Sequence, residues 1–335
     1  MSATALASRG FGVPEVLRDC GLTLVAAGPQ RWSVALPEAL RETEVRLEAG
    51  WLFFDSPPPD GAGRRSAWEL LQANPSLAGP AKFALEPGRE LRLKAELPVD
   101  DVSHLASRAR AVCRGFTNAG AVVARPRMEP RGAVPGSVGP ESATEFAGGG
   151  EVGPESASAP PGEPVPTGSS ARESFGALCE EAGWSFTERS RERLMVALDV
   201  PGAFYQASVE PFSGDSVLIS AELARLDVVT ALGRRALSYL LLNACGLVRL
   251  ARATAVVRED GPTSIGFEVR LELPLSAVEL DHSLSSLSAA ARLCGREVKA
   301  LCVERLATAY LDVHESGSNA VLLTRNTSLE PGGLP

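Results

Sequence analysis

Histidine, lysine and methionine each occur only three times in this chain of 335 residues, and aromatic residues make up 5% of it. Acid–base, Schiff-base and metal chemistry need clustered imidazole, carboxylate, amine or thiolate groups. So sparse a supply argues for binding rather than catalysis. Cys20, Cys113, Cys179, Cys245, Cys294 and Cys302 form no CxxC pair and mostly fall on apolar helical positions. That pattern suits buried, reduced thiols in a cytoplasmic protein better than a disulfide framework or a zinc site. No glycine-rich phosphate loop, GxSxG elbow or HExxH motif is present. The chain is therefore expected to be no enzyme and to hold no metal and no cofactor.

A broad basic surface is also missing. The formal net charge is -8, with the excess acid in the middle and second half, which argues against a nucleic-acid partner. No apolar run approaches the length of a membrane span: Tyr239 to Val248 is about half of one and carries Asn243. The start, MSATALASRGFG, lacks the charged and apolar regions of a secretory signal.

What is present is 44% apolar residues in two stretches of similar design. Arg18-Asp-Cys-Gly21 followed by Arg31-Trp-Ser-Val-Ala-Leu36 matches Glu180-Glu-Ala-Gly183 followed by Arg193-Leu-Met-Val-Ala-Leu198. Leu91 to Pro98 matches Phe267 to Pro274 in the same order. Between them the chain is rich in Gly, Pro, Ser and Glu and repeats Gly-Pro-Glu-Ser-Ala at 139–143 and 153–157, which predicts a disordered linker. The expected organisation is a unit over 1–120, a linker over 121–170, a second unit over 171–316 and a disordered tail over 317–335.

Patterning within each unit predicts a short helix, three strands, a middle helix, a hairpin and a closing helix, an α+β fold of order αβββαββα. The three strands are placed at Trp32–Leu36, Val45–Leu47 and Trp51–Phe54, and at Leu194–Leu198, Phe204–Val209 and Val217–Ala221. The second middle helix, Asp227 to Cys245 capped by Gly246, is apolar nearly all round and so expects a partner on two sides. Trp68, Leu71, Leu237, Tyr239, Leu241 and Leu242 are the candidate residues for an interface between the units or with a partner. The second closing helix, Ser283 to about Val313, repeats Leu284, Leu287, Ala291, Cys294, Val298 and Leu301 at the spacing of a coiled-coil seam.

The remaining features have two readings each. Trp32, Trp51, Trp68 and Trp184 with Phe53 and Phe54 are either core or the anchors of a peptide groove. His104 and His282, each near the start of a closing helix, read as surface residues rather than a paired site. Glu42, Glu44, Glu48, Glu268 and Glu272 alternate with apolar residues and read as solvated strand faces.

This element order, with the hairpin Ala81 to Pro98 followed by Asp100-Asp101 and its counterpart ending Leu271-Glu-Leu-Pro274, resembles the type III secretion chaperones and their bacterial relatives. The resemblance implies a non-catalytic cytoplasmic protein that holds a client protein on sheet edges and apolar patches. Those chaperones are single-unit dimers, whereas two units share this chain, which suggests an internal pseudo-dimer. A scaffold component that self-associates through the closing helix, and hence a homo-oligomer, is the competing expectation.

Overall fold

A computed structural model describes residues 12–35, 42–86, 90–100, 102–125, 169–190, 193–212, 215–257 and 261–315. The fold is α+β. Helix α1 (Val13–Asp19) begins with Pro14 in its first turn, where a missing N–H costs nothing, and is stopped by Gly21 at φ 81°. Strands β1 (Thr23–Gly28), β2 (Arg31–Ala35), β3 (Glu42–Glu48) and β4 (Trp51–Ser56) follow as an antiparallel meander. Helix α2 (Ala67–Ala73), opened by a Ser66–Glu69 capping box, leads to β5 (Lys82–Leu85), β6 (Leu91–Pro98) and α3 (Val102–Ala124).

The second half repeats this order. It comprises α4 (Ser169–Glu181), β7 (Phe186–Ser190), β8 (Arg193–Leu198), β9 (Tyr205–Phe212), β10 (Ser216–Leu226), α5 (Ala231–Leu247), β11 (Arg252–Val256), β12 (Thr263–Glu272) and α6 (Ala277–Ala300). A further helix, α7 (Glu304–Glu315), ends the described chain. The two sheets have the same antiparallel strand order, β1-β2-β3-β4-β6-β5 and β7-β8-β9-β10-β12-β11.

Four strands, not three, precede each middle helix. The additional strands are the outer edges β1 and β7, which bury almost nothing and therefore show no alternation for a sequence reading to find. The single closing helix expected over Ser283 to Val313 is two helices. The chain turns at Leu301–Val303 so that Ala307, Tyr310 and Leu311 of α7 are buried where it folds back onto α5. Gly246 lies inside α5 rather than capping it, and a Cβ there would stand 2.7 Å from the Leu85 carbonyl oxygen of β5. Only glycine permits so close a helix–strand approach.

Leu17, Val34, Val45, Leu52, Phe54, Phe83, Leu97 and Phe116 form the core of the first sheet. In the second half α6 crosses β8, β9, β10 and β12. Helix α3 runs to Ala124 and α4 opens at Ser169, so nearly all of the predicted linker, with its repeated motif, lies outside the described residues, as does the predicted tail.

Candidate interaction surfaces

The two halves are joined by buried polar groups. Lys82, the first residue of β5, is fully buried; its Nζ lies 2.8 Å from Glu96 on β6 and donates to the carbonyls of Val248 (2.6 Å) and Ala251 (3.3 Å), just before β11. Arg252, the first residue of β11, is its counterpart. It pairs with Glu268 on β12 at 2.7 Å and donates to the carbonyls of Leu77, Gly79 and Ala81, just before β5. Each half thus satisfies loop carbonyls of the other with a cation held by its own carboxylate. Asn74 adds one more bond across, donating to the Ala253 carbonyl while its oxygen accepts from the Phe83 N–H of its own half. A buried ion pair with all its donors and acceptors used fixes geometry, and it becomes costly when one member is removed.

A second junction lies where the closing helices begin. Arg108 of α3 forms a bidentate pair with Glu279 of α6 (2.7 and 2.9 Å) and donates to the carbonyls of Glu272 and Pro274. Glu279 also accepts from the Ser276 N–H as the capping-box residue of α6. Burial alone would raise the Glu279 carboxyl, but the Arg108 guanidinium offsets it and holds the group below the ordinary carboxylate value. His104 Nδ1 lies 3.5 Å from Glu279, and His282 meets Asp100 at 2.9 Å with its ring edge-on to Trp51. Both histidines therefore belong to this junction rather than to an isolated helix surface.

With β5 and β11 turned towards the junction, the other edges, β1 and β7, have no neighbouring strand among the described residues. They differ chemically. The sequence Thr-Leu-Val-Ala-Ala-Gly of β1 carries no charge, and Val25 is 62% exposed. The Phe-Thr-Glu-Arg-Ser of β7 places Glu188 and Arg189 on the edge. An exposed edge offers a row of backbone donors and acceptors, and charged side chains are a common guard against unwanted pairing there. Unit for unit, β7 carries that guard and β1 does not.

No protein-family model matches the chain, and no curated protein matches it. Its functional reading therefore rests on these surfaces. Among the described residues no group of three or more His, Cys, Asp or Glu could hold a metal ion, and no helix is long and apolar enough to cross a membrane.

Leu71 of α2 and Leu237, Leu241 and Leu242 of α5 are buried, and the two helices pack against one another. Trp68 is half-buried with the Arg234 guanidinium 5.9 Å from its ring centroid, and Tyr239 is half-buried on α5. Leu284, Leu287, Ala291, Cys294, Val298 and Leu301 are all buried within the chain. That stripe is the core face of α6 and its following turn, not a seam open to another copy, because α6 spends it on its own sheet. Glu268 is likewise corrected: it is buried as the partner of Arg252 instead of facing solvent.

Trp51 is buried, while Trp32, Trp184 and Phe53 are partly buried against the core, with Trp184 Nε1 donating to Asp281 at 2.9 Å. All six cysteines are free. Burial raises the thiols of Cys113, Cys179 and Cys245 to about 11, which leaves them protonated at neutral pH. The junction cations Lys82 and Arg252 were missed from sequence. The available signal was a lone cation opening an apolar strand, in Ala-Lys-Phe-Ala-Leu and Ala-Arg-Ala-Thr-Ala-Val.

Proposed function

We propose that this protein is a non-catalytic adaptor or chaperone-like module, built of two copies of one unit, that holds an extended segment of a partner protein on the β1 edge. One observation carries the reading: β1 is an uncharged strand edge with an exposed valine on a six-stranded sheet, with no neighbouring strand on its outer side among the described residues. A partner strand added there would gain backbone hydrogen bonds continuous with the sheet, and the side chains around it would set selectivity. The buried ion pairs of the junction suit such a role because they hold the two sheets in one arrangement, so little order need be gained on binding. The resemblance to secretion chaperones, which hold clients in extended form, points the same way.

The reading is tested by screening extended peptides for binding to the full chain and to two edge variants, Val25→Lys and Thr187→Lys, which occupy the same place on β1 and β7. Peptides that bind the parent should bind Val25→Lys about tenfold more weakly and Thr187→Lys unchanged. Equal loss in both variants, or no binding by any strand-forming peptide, would overturn it.

A further inference from the structure

Behind the β1 edge lies a cross-strand row whose charges are not balanced. Gly28 of β1 is opposite Arg31 of β2, Arg31 is opposite Arg46 of β3, and Arg46 is opposite Phe53 of β4. Residues directly opposite in an antiparallel pair share a face, and like charges so placed destabilise the sheet. The Arg46 guanidinium lies 4.9 Å from the Phe53 ring centroid and that of Arg249, reaching over from the second half, lies 5.6 Å from it. Arg46 and Arg249 thus share the Phe53 ring, with Arg249 also 4.9 Å from the Trp51 centroid, and Arg31 stands next along the row, in a protein of net charge -8.

Their acidic neighbours do not neutralise them. Among the described residues Arg31 and Arg249 form no ion pair, and Arg46 meets only Glu48, at 3.8 Å. The buried Nε of Arg46 has no hydrogen-bond acceptor. Glu96, next along the row, is committed to Lys82 and the Leu250 N–H. One row away, Asp55 is taken by Arg92 at 2.7 Å, and Glu44 is joined to neither arginine. At the outer end of the row Gly28 has no side chain, and among the described residues nothing lies within 4 Å of where its Cβ would be. Among the described residues Arg31 therefore has open space towards the edge.

The corresponding row of the second half differs where it faces its edge, although it too carries a second arginine, Arg270, opposite Leu218 at its inner end. Ser190 of β7 is opposite Arg193, which stands opposite Glu210 in the register that pairs Leu194 with Val209, and the two form an ion pair at 3.4 Å. The same backbone site thus holds an Arg–Glu pair in one half and an Arg–Arg pair in the other.

Resting on the strand-addition reading above, we infer that the β1 edge selects an acidic extended polypeptide: one with a glutamate or aspartate beside Gly28, on the face of Arg31, and an apolar side chain beside Val25. The carboxylate completes the row, giving Arg31 and Arg46 the counter-charge that Glu210 gives Arg193. A guanidinium binds a carboxylate with good geometry, and an uncharged edge imposes no competing repulsion.

The test uses two short probe peptides, one alternating threonine and valine, the other identical but with glutamate replacing a central threonine. The full chain should bind the acidic probe about fivefold more tightly at low salt, as expected for a cross-strand charge pair, and the preference should shrink as salt is raised. Arg31→Gln should erase the preference without weakening the neutral probe, and Arg193→Gln should change neither. Arg31→Glu should reverse the preference towards a lysine-bearing probe.

Equal binding of both probes would overturn the acidic assignment and leave strand addition standing. Binding of neither would overturn both. A preference that survives Arg31→Gln, or a single-stranded oligonucleotide bound in an Arg31-dependent way, would also overturn the assignment.

Discussion

Strands β1 and β7 hold the same place in two sheets of the same order, each closing a bulged hairpin with the strand that follows. Their chemistry is opposite. The β7 edge carries a glutamate and an arginine and is backed by the Arg193–Glu210 pair, so the arginine behind it has a counter-charge within its own half. The β1 edge is bare, apolar and backed by two opposed arginines. A sheet edge is a template for pairing wherever nothing discourages it. One backbone has therefore been given one guarded edge and one open edge, and the open one stands beside unspent positive charge.

The largest effect should come from the buried junction between the two halves. Arg252→Ala leaves Glu268 only its longer contact with Arg270, at 3.6 Å, and leaves three loop carbonyls without a donor. Urea denaturation should show a loss of about 3–5 kcal/mol. Arg193→Ala, at a half-exposed pair, should cost less than about 1 kcal/mol. Similar losses for the two would mean the junction is not what holds the sheets together.

Edge chemistry comes next. Val25→Lys should give β1 the protection β7 already has and cut peptide binding about tenfold with little change in melting temperature, while Thr187→Lys should do neither. Peptide titrations on the two variants, beside their melting curves, check this.

A smaller and more pointed pair of changes exchanges the rows. Arg46→Glu would place a carboxylate opposite Arg31, as in the second half. It should stabilise the chain by about 0.5–1 kcal/mol while abolishing any preference for acidic peptides. Glu210→Arg should create the opposed arginines in the second half and destabilise by a similar amount. Both are read by chemical denaturation, and opposite signs are essential to the comparison.

The pH dependence has a definite direction. The Glu279 carboxyl is held below its unfolded value by Arg108. Its stabilisation is therefore complete above the unfolded value and is lost as pH falls through the folded one. Melting temperatures between pH 6 and pH 3, referenced to that scale of carboxylate titration, should fall less in Glu279→Gln than in the parent, because the variant has already lost the titrating group.

Much of the fold was legible in the residues. Pro14 and Gly21 bracket α1, Ser66 opens α2, and the alternation of Trp32, Val34, Val45 and Phe54 marks strands with one buried face, whereas α6 opens at Ala277, ahead of the Ser283 start read from the sequence. The edges β1 and β7 were not legible, because an edge strand with both faces exposed is under no pressure to alternate. The turn after α6 was also hidden: Leu301-Cys302-Val303 contains no helix breaker, and the chain bends there because α7 has an apolar face to bury on α5.

For the candidate site the balance is reversed. Local pattern located Trp68, Leu71 and the leucines of α5 as residues in need of a partner, since an all-round apolar helix cannot be satisfied by one sheet. It could not separate the buried Glu268 from the exposed Glu44, which look alike along their strands. It also read the stripe from Leu284 to Leu301 as a coiled-coil seam, whereas the fold buries it within the chain.

By itself, then, the sequence determined the α+β class, two successive stretches of similar design and the scarcity of catalytic groups, because these follow from composition and from patterns a few residues long. Only the tertiary structure decided which charges are spent and which are free. Lys82 and Glu96 are consumed by the opposite half, Arg193 is balanced by Glu210, and Arg31 faces Arg46. Whether a charge is neutralised depends on residues distant in the chain that the fold brings within about 4 Å, the range over which an ion pair forms.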